Sequence, residues 1–451
     1  MGKKYVGITV GPVSNMIENA TNPLSMWFSS YLISDKLARS TCSNLWLEKN
    51  ELFKGKEFDI LYPYYYKEDE EDSDDISYEE EEEYCDEEYY EEDDEPYVSD
   101  EESKEEGIVG RYPNRIIFYV DLETDELKTY LDRIFLYRGF LEYYFPRIEG
   151  IKDSEMEEFF YNLVYTDYII LDEDEVKSPN IMLEMFPLLD ELDLKRATPK
   201  HYDDNKNPLK ILYNNKLDLN KLIRVENRLS SFIQVCNPKE YIKLELYNGL
   251  NDFSPNRKPE EGKYYTLVRA EGDNLYEIIY NFKTDSEIKE YSTKLLQYSN
   301  DVSQAIFNFG GFPIYAGNDS LLFLAPIYSD ADKKTIFTLC NEINNKFKEM
   351  LNNDNISLSF GITIRHSEYS LGEAFKTVSS CLFEHAKDDN YGKNQMYVDI
   401  EELNGQSIDI RIKHDNYTKI KDILDGSLTD NELQSLQSII SHLNDNKDKL
   451  S

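Results

Sequence analysis

The chain has 451 residues, with 89 Asp and Glu against 49 Lys and Arg, a formal net charge of -40. Its 40% hydrophobic and 13% aromatic content excludes a wholly disordered chain, and its length predicts two or three domains. The charge argues against simple electrostatic binding of bare nucleic acid; no apolar run is long enough to span a membrane, and the N-terminus lacks a signal peptide's apolar core.

Residues 4–10 (KYVGITV) read as a buried strand closed by a turn at Gly11-Pro12. Residues 14–50 read as mostly helical, with a break at Asn22-Pro23 and apolar positions at Trp27, Phe28, Tyr31, Leu32 and Leu37. A second strand is expected over 58–65. Residues 68–106 then hold 25 Asp and Glu against one Lys, more than half of the chain's net charge. Such a segment buries too little apolar surface to offset its ordering entropy and reads as a disordered insertion. It is either a solvated acidic loop or a nucleic-acid mimic that screens a basic groove. A third strand is expected over 116–120 and a helix over 123–144. The order strand, helix, strand, strand, helix predicts a ferredoxin-like half.

Residues 150–258 predict several helices, with breaks at Pro179, Pro187, Pro199 and Pro208, and 256–262 read as a linker. A similar unit starts at Tyr264. Strands are expected over 264–270, 321–326 and 357–365, and helices over 274–280, 292–309, 333–352 and 371–388. The last 45 residues predict one or two polar helices. The five cysteines (Cys42, Cys85, Cys236, Cys340, Cys381) are far apart and form neither a zinc pair nor a disulfide framework, which predicts a reducing, cytoplasmic setting.

Two acidic turns of the second unit carry the chemistry. Glu271-Gly272-Asp273-Asn274 ends its first strand, and Gly317-Asn318-Asp319-Ser320 turns between its next two. Those strands are neighbours in a ferredoxin-like sheet, so Glu271, Asp273 and Asp319 are expected at one sheet edge. Hard divalent ions take carboxylate oxygens plus substrate phosphates, and a pair of ions can activate a hydroxyl and neutralise a leaving pyrophosphate. Two ordinary acidic turns would look the same. Lys387 and Lys393 follow the last helix of the unit, where a lysine reaches a triphosphate or merely caps a helix end. In the first unit Gly11 and Ser14 offer backbone and hydroxyl donors for phosphate, or Ser14 is a helix cap. His414-Asp415 lacks the further ligands of a metal-dependent nuclease.

These segments resemble a known family. Residues 7–34, with the Gly11-Pro12-Val13 turn and Trp27, Ser30, Tyr31, Leu32 and Ser34, are similar to the opening of the large polymerase-type subunit of type III CRISPR effectors, the Cmr type especially. Tyr112 to Val120 resembles that family's Pro-Asn-Arg strand, Tyr264 to Leu275 its second Palm strand, Tyr315 to Pro326 its Gly-Gly-Asp-Asp hairpin, and residues 357–394 its closing strand, helix and Gly-Lys-Asn.

The resemblance implies an α+β chain with two ferredoxin-like, cyclase-related Palm domains facing each other. They occupy residues 1–149 and 259–403, with a mostly helical middle over 150–258 and a short helical C-terminal segment over 404–451. It implies joining of ATP into a cyclic oligoadenylate-type messenger when guide RNA pairs with target RNA, in company with other type III subunits. Asp319, Glu271 and Asp273 would hold Mg²⁺ or Mn²⁺, and Gly317, Asn318, Ser320, Lys393, Gly11 and Ser14 would contact nucleotide. The departures are the missing HD nuclease domain, Glu271 for an Asp, and Ser320 for the last Asp of the hairpin. The loss at 320 leaves two readings open, an active nucleotidyltransferase and a catalytically degenerate scaffold.

Overall fold

The computed structural model describes residues 2–11, 17, 23–64, 109–134, 165–196, 264–329, 333–366, 369–401, 407–429 and 432–450. The acidic stretch 68–106, Ser14 and most of 150–258 lie outside them.

The first sheet is antiparallel. Its strands are β1 (Lys4–Gly11), β2 (Phe58–Tyr62), β3 (Arg115–Val120) and β4 (Tyr165–Asp172), in the order β2-β3-β1-β4. Between β1 and β2 run α1 (Pro23–Tyr31), a π-helical stretch (Leu32–Arg39) and α2 (Ser40–Leu47). α1 begins at Pro23, whose fixed φ and missing N–H suit a helix start. Helices α3 (Thr124–Ile134) and α4 (Ile181–Arg196) follow β3 and β4. Strand β4 is a correction, since helices are expected where it lies and it pairs with the whole of β1. Pro187 does not end α4 either. Met182, Met185 and Leu189 on that helix are buried beside the sheet, and their burial outweighs one missing N–H.

The second sheet has six strands: β5 (Tyr264–Asp273), β6 (Phe312–Gly317), β7 (Ser320–Ala325), β10 (Ser357–His366), β11 (Gln395–Glu401) and β12 (Ser407–Lys413), in the order β12-β11-β10-β5-β7-β6. A short ribbon, β8 (Tyr328–Ser329) with β9 (Lys334–Thr335), stands apart. The helices are α5 (Leu275–Ile279), α6 (Asp285–Phe309), α7 (Ile336–Leu351) and α8 (Leu371–Ser380), the last running on as a π-helical turn (Cys381–Ala386). Its first four strands repeat the first sheet: in each, the fourth strand lies beside the first and the third beside both the first and the second. Two ferredoxin-like units in an α+β chain are therefore what folds.

The long helix starts earlier than expected. A capping box at Thr284 and Glu287 fixes its N-terminus: the Thr284 hydroxyl accepts from the Glu287 amide and the Glu287 carboxylate accepts from the Thr284 amide. The C-terminal end is another correction, because polar helices are expected where β12 lies, paired antiparallel with β11. Met396, Val398 and Ile400 alternate inward on β11, which pairs parallel with β10.

Beyond β12 come α9 (His414–Tyr417), α10 (Lys421–Asp425), α11 (Glu432–Asp445) and α12 (Lys447–Leu450). The Asp425 carboxylate accepts from the Thr335 amide (2.9 Å) and from the Thr335 and Thr338 hydroxyls (3.0 Å each), tying α10 to the start of α7. Asp425→Ala is expected to cost about 1–3 kcal/mol in urea unfolding. A loss under about 0.5 kcal/mol, the usual scatter of a surface change, would show that this tie does not hold the C-terminal segment.

One hydrophobic cluster spans both sheets. Trp27, Tyr31, Val6, Ile8 and Phe118 of the first unit share it with Leu267, Ile314, Leu322 and Phe375 of the second. Polar links add to it: the Ala316 amide donates to the Gly110 carbonyl (3.0 Å), Lys3 pairs with Asp285 (3.2 Å), and Lys289 pairs with Asp59. No helix of the described residues is long and apolar enough to cross a membrane.

Candidate functional site

Strand β5 runs three residues past its expected end, so Glu271 and Asp273 lie on a strand and not in a turn. Alternation sends both to one face of the sheet. Opposite Glu271 in the ladder stands Ser320, the first residue of β7. The two-residue loop Asn318-Asp319 closes the β6–β7 hairpin, with Gly317 paired to Ser320. Asn318 has φ 55°, a left-handed conformation that Asn tolerates better than other non-glycine residues. Its buried amide donates to the hydroxyl of Tyr62, from the first unit, which fixes the loop from across the inter-unit contact.

Asp319 reaches back to β5. A Cβ built on Gly272 would stand 2.7 Å from Asp319 Oδ2 and 2.8 Å from its Cβ, so only glycine admits this approach. Burial pushes the Asp319 carboxyl up to about 6, and the negative charge of Glu271 adds to the rise; backbone hydrogen bonds at Gly272 and at its own amide, and the Lys387 ammonium, pull the other way. Burial foremost, together with the Asp319 charge, raises the Tyr62, Tyr291, Tyr298 and Tyr315 hydroxyls.

Asp273 is different. Its side chain is fully buried, and Oδ2 accepts from the hydroxyls of Ser357 (2.8 Å) and Ser359 (2.7 Å) and from the Asn394 amide (3.2 Å). These donors hold it inside the sheet. Oδ1 is buried with no hydrogen bond. Asn394 is locked in turn, accepting from the Asn344 amide (3.0 Å) while the Leu358 amide donates to Asn344 (2.7 Å).

The lysine at the acidic edge is Lys387. Its Nζ donates to the Gly272 carbonyl (2.6 Å) and stands 3.3 Å from Glu271 Oε2 and 3.6 Å from Asp273 Oδ1. Lys393 instead pairs with Asp389 at 3.4 Å. The π-helical turn ending at Ala386 delivers Lys387 to β5, and sequence spacing alone carries no sign of that turn. Gly11 also has a packing account: the ring of Tyr165 on β4 covers the space a side chain would fill. Ser14 lies outside the described residues.

Glu271 and Ser320 border a cavity of about 260 Å³ between the two units. Ser30 and Asn114 line it from the first unit, and Arg269 and Phe383 from the second. Ser30 Oγ is buried and makes no hydrogen bond among the described residues. Arg269 donates to Ser379 (2.7 Å), and its guanidinium lies 4.8 Å from the centre of the Phe383 ring. The cavity thus offers a hydroxyl, a cation and an aromatic face, the mixture that recognises a nucleotide.

Among the described residues no group of three or more His, Cys, Asp or Glu side chains is arranged to hold a metal ion. The expected trio Glu271, Asp273 and Asp319 is therefore not a ready cage. The donor set still fits one hard divalent ion that takes its remaining ligands from phosphate and water. One or two carboxylates suffice for Mg²⁺ in such sites. His414 is buried against Phe360 with its carboxyl-side neighbour Asp415 accepting from Asn394 (3.2 Å), and burial holds its imidazole down at about 3. That pair serves the fold.

Residues 264–397 match a family model described as Cas10/Cmr2, second palm domain. The segment that carries the sequence resemblance is thus similar to a palm domain of the Cas10 type. No curated protein matches the chain. Among solved structures, the chain is similar to a Csm1-Csm4 cassette in complex with cA4, at 11% identity and a TM-score of 0.48, over 96% of this chain and 59% of that one. It is likewise similar to a Csm1-Csm4 cassette in complex with AMPPNP, at 10% identity and a TM-score of 0.48, over 98% of this chain and 62% of that one. A guanylyl cyclase, Cya2, aligns with 31% of this chain and 77% of its own length at 14% identity and a TM-score of 0.23. The chain thus spans about 59% of the length of the first of these relatives.

Proposed function

We propose that this chain is the Palm-type large subunit of a type III CRISPR effector complex and that it joins ATP into a cyclic oligoadenylate-type messenger when guide RNA pairs with target RNA. Other type III subunits, guide RNA and target RNA are its partners in that reading. The observation that carries it is the meeting of Glu271, Asp319 and Lys387 at the strand end beside the inter-unit cavity, within the segment that matches a Cas10-type palm.

In each step the 3′-hydroxyl oxygen of one nucleotide bonds to the α-phosphorus of the next. The bond to pyrophosphate breaks, and the hydroxyl proton passes to water. Glu271 and Asp319 would hold Mg²⁺ or Mn²⁺, which supplies charge neutralisation at the phosphates. Lys387 meets the departing charge as a point cation, and Gly272 leaves the backbone open to the carboxylate. Ser30, Arg269 and Phe383 orient the nucleotide in the cavity. Ser320 favours a second reading, a degenerate Palm scaffold that assembles and binds ATP or RNA without turnover, because one carboxylate of the family's hairpin is missing there.

The test uses the chain assembled with its neighbouring subunits and guide, supplied with target RNA, Mg²⁺ or Mn²⁺ and labelled ATP. A target-dependent product that falls about a thousand-fold or more with Asp319→Ala is expected. An assembled complex that binds ATP and releases no product under either metal would establish the scaffold.

A further inference from the structure

If residues 264–397 carry out nucleotidyl transfer as proposed above, the placement of Lys387 decides how many metal ions take part. Three oxygens of one strand end surround its ammonium: the Gly272 carbonyl at 2.6 Å, Glu271 Oε2 at 3.3 Å and Asp273 Oδ1 at 3.6 Å. Asp273 Oδ1 is buried and makes no hydrogen bond. The other oxygen of that carboxylate is committed to Ser357, Ser359 and the Asn394 amide, so Asp273 cannot turn away toward Asp319. The one oxygen it leaves over faces the lysine.

Centres that transfer phosphoryl groups with two divalent ions hold those ions about 3.5–4 Å apart on shared carboxylates. Here the space among the β5 oxygens is already filled by a side-chain cation. The site is also short of negative charge for two ions. Ser320 stands directly across the ladder from Glu271, where a carboxylate would have given both strands an acid at the same level. One charge less at Ser320 and one fixed positive charge at Lys387 change the balance in the same direction.

We propose that Lys387 is the built-in second cation of this centre, and that Glu271 and Asp319 hold a single divalent ion. Asp273 is then a positioning residue: it holds the lysine and is not a metal ligand. The ammonium is a compact charge with three donors, able to meet phosphate oxygens that a second metal would otherwise neutralise. The structural cost of this arrangement is low, because the π-helical turn that ends at Ala386 carries Lys387 there without a loop of its own.

The experiment counts ions and needs no turnover. The full chain is titrated with Mn²⁺ in the presence of the non-hydrolysable analogue α,β-methylene ATP, and bound Mn²⁺ per bound nucleotide is read by electron paramagnetic resonance. About one ion per nucleotide is expected for the natural chain and for Lys387→Arg, and about two for Lys387→Met, which opens the oxygens of Glu271 and Asp273 to a second ion. Two ions per nucleotide in the natural chain, or one in Lys387→Met, would overturn the assignment of Lys387 and leave the nucleotidyltransferase reading in place. A natural chain that binds no nucleotide would remove that reading and the lysine's role with it. Should Lys387→Met fail to bind nucleotide, the natural chain's count decides alone, one ion supporting the proposal and two overturning it.

Discussion

Asp319→Asn is expected to make the free chain more stable at neutral pH while abolishing the nucleotide product proposed above. The carboxyl of Asp319 titrates near 6 in the folded chain because burial, and then the charge of Glu271, disfavour its ionised form. An unfolded Asp titrates near 3.9. The folded chain therefore holds this proton more tightly, and the group costs stability at every pH above about 6. As pH falls from about 6 to about 4 the cost disappears, so stability at this site rises toward acid. Discounted for the solvent that reaches a half-buried group, the cost is on the order of 1 kcal/mol, or about 2–4 °C in a chain of this size. Asparagine keeps the shape and cannot ionise. Thermal unfolding at pH 7 should show the variant melting higher, and at pH 5 the difference should shrink. A variant that melts lower at pH 7, or by the same margin at both pH values, would refute the electrostatic account. The same carboxylate must be ionised to take a divalent ion, so Mn²⁺ affinity should weaken as pH drops through about 6.

The opposite sign is expected at Asp273. Replacing it with alanine removes the acceptor of two serine hydroxyls and one backbone amide, and takes a charge away from Lys387 at 3.6 Å. Each buried donor left unpaired costs about 1–3 kcal/mol, and breaking a buried charge pair about 3–5 kcal/mol. A total loss of about 3–5 kcal/mol in urea unfolding is expected, with the Asn394 loop losing its anchor. If Asp273 were an open metal ligand, its removal would relieve repulsion among neighbouring acids, and stability would hold or rise. The sign of one denaturation midpoint separates the two roles.

The two acidic segments were legible in the sequence because turns and strand ends advertise themselves with Gly, Asn and Asp. The roles within them were not. Ser357 and Ser359 look like ordinary polar positions on a strand until the β5–β10 register sets them opposite Asp273 and Glu271. Lys387 and Lys393 are equivalent in composition, and only the helical turn preceding Lys387 separates them. Strands β11 and β12 did carry a period-2 signal, Met396, Val398 and Ile400 in one and Ile408, Ile410 and Ile412 in the other. In β12 the charged Asp409, Arg411 and Lys413 beside them read as a polar helix instead. Strand β4 offered less, since its residues are nearly all half-buried and show no clean alternation. The capping box at Thr284 was present as a Thr-x-x-Glu pattern, and the helix start could have been placed from it.

The residues on either side of the acidic stretch are fastened to the second unit. The Tyr64 amide donates to Ser292 Oγ (2.7 Å) and Tyr62 holds Asn318; beyond the stretch, Gly110 accepts from Ala316 and Arg111 bonds Asn300. The fold thus holds both ends of residues 65–108 beside the hairpin that carries Asp319, whatever lies between them. A flexible loop closed between two fixed ends contributes through closure entropy, which varies slowly with its length. Doubling or halving it shifts the balance by about 0.6 kcal/mol. A peptide tag or a fluorescent reporter spliced between Tyr64 and Val109 would therefore enter the chain beside the hairpin that carries Asp319.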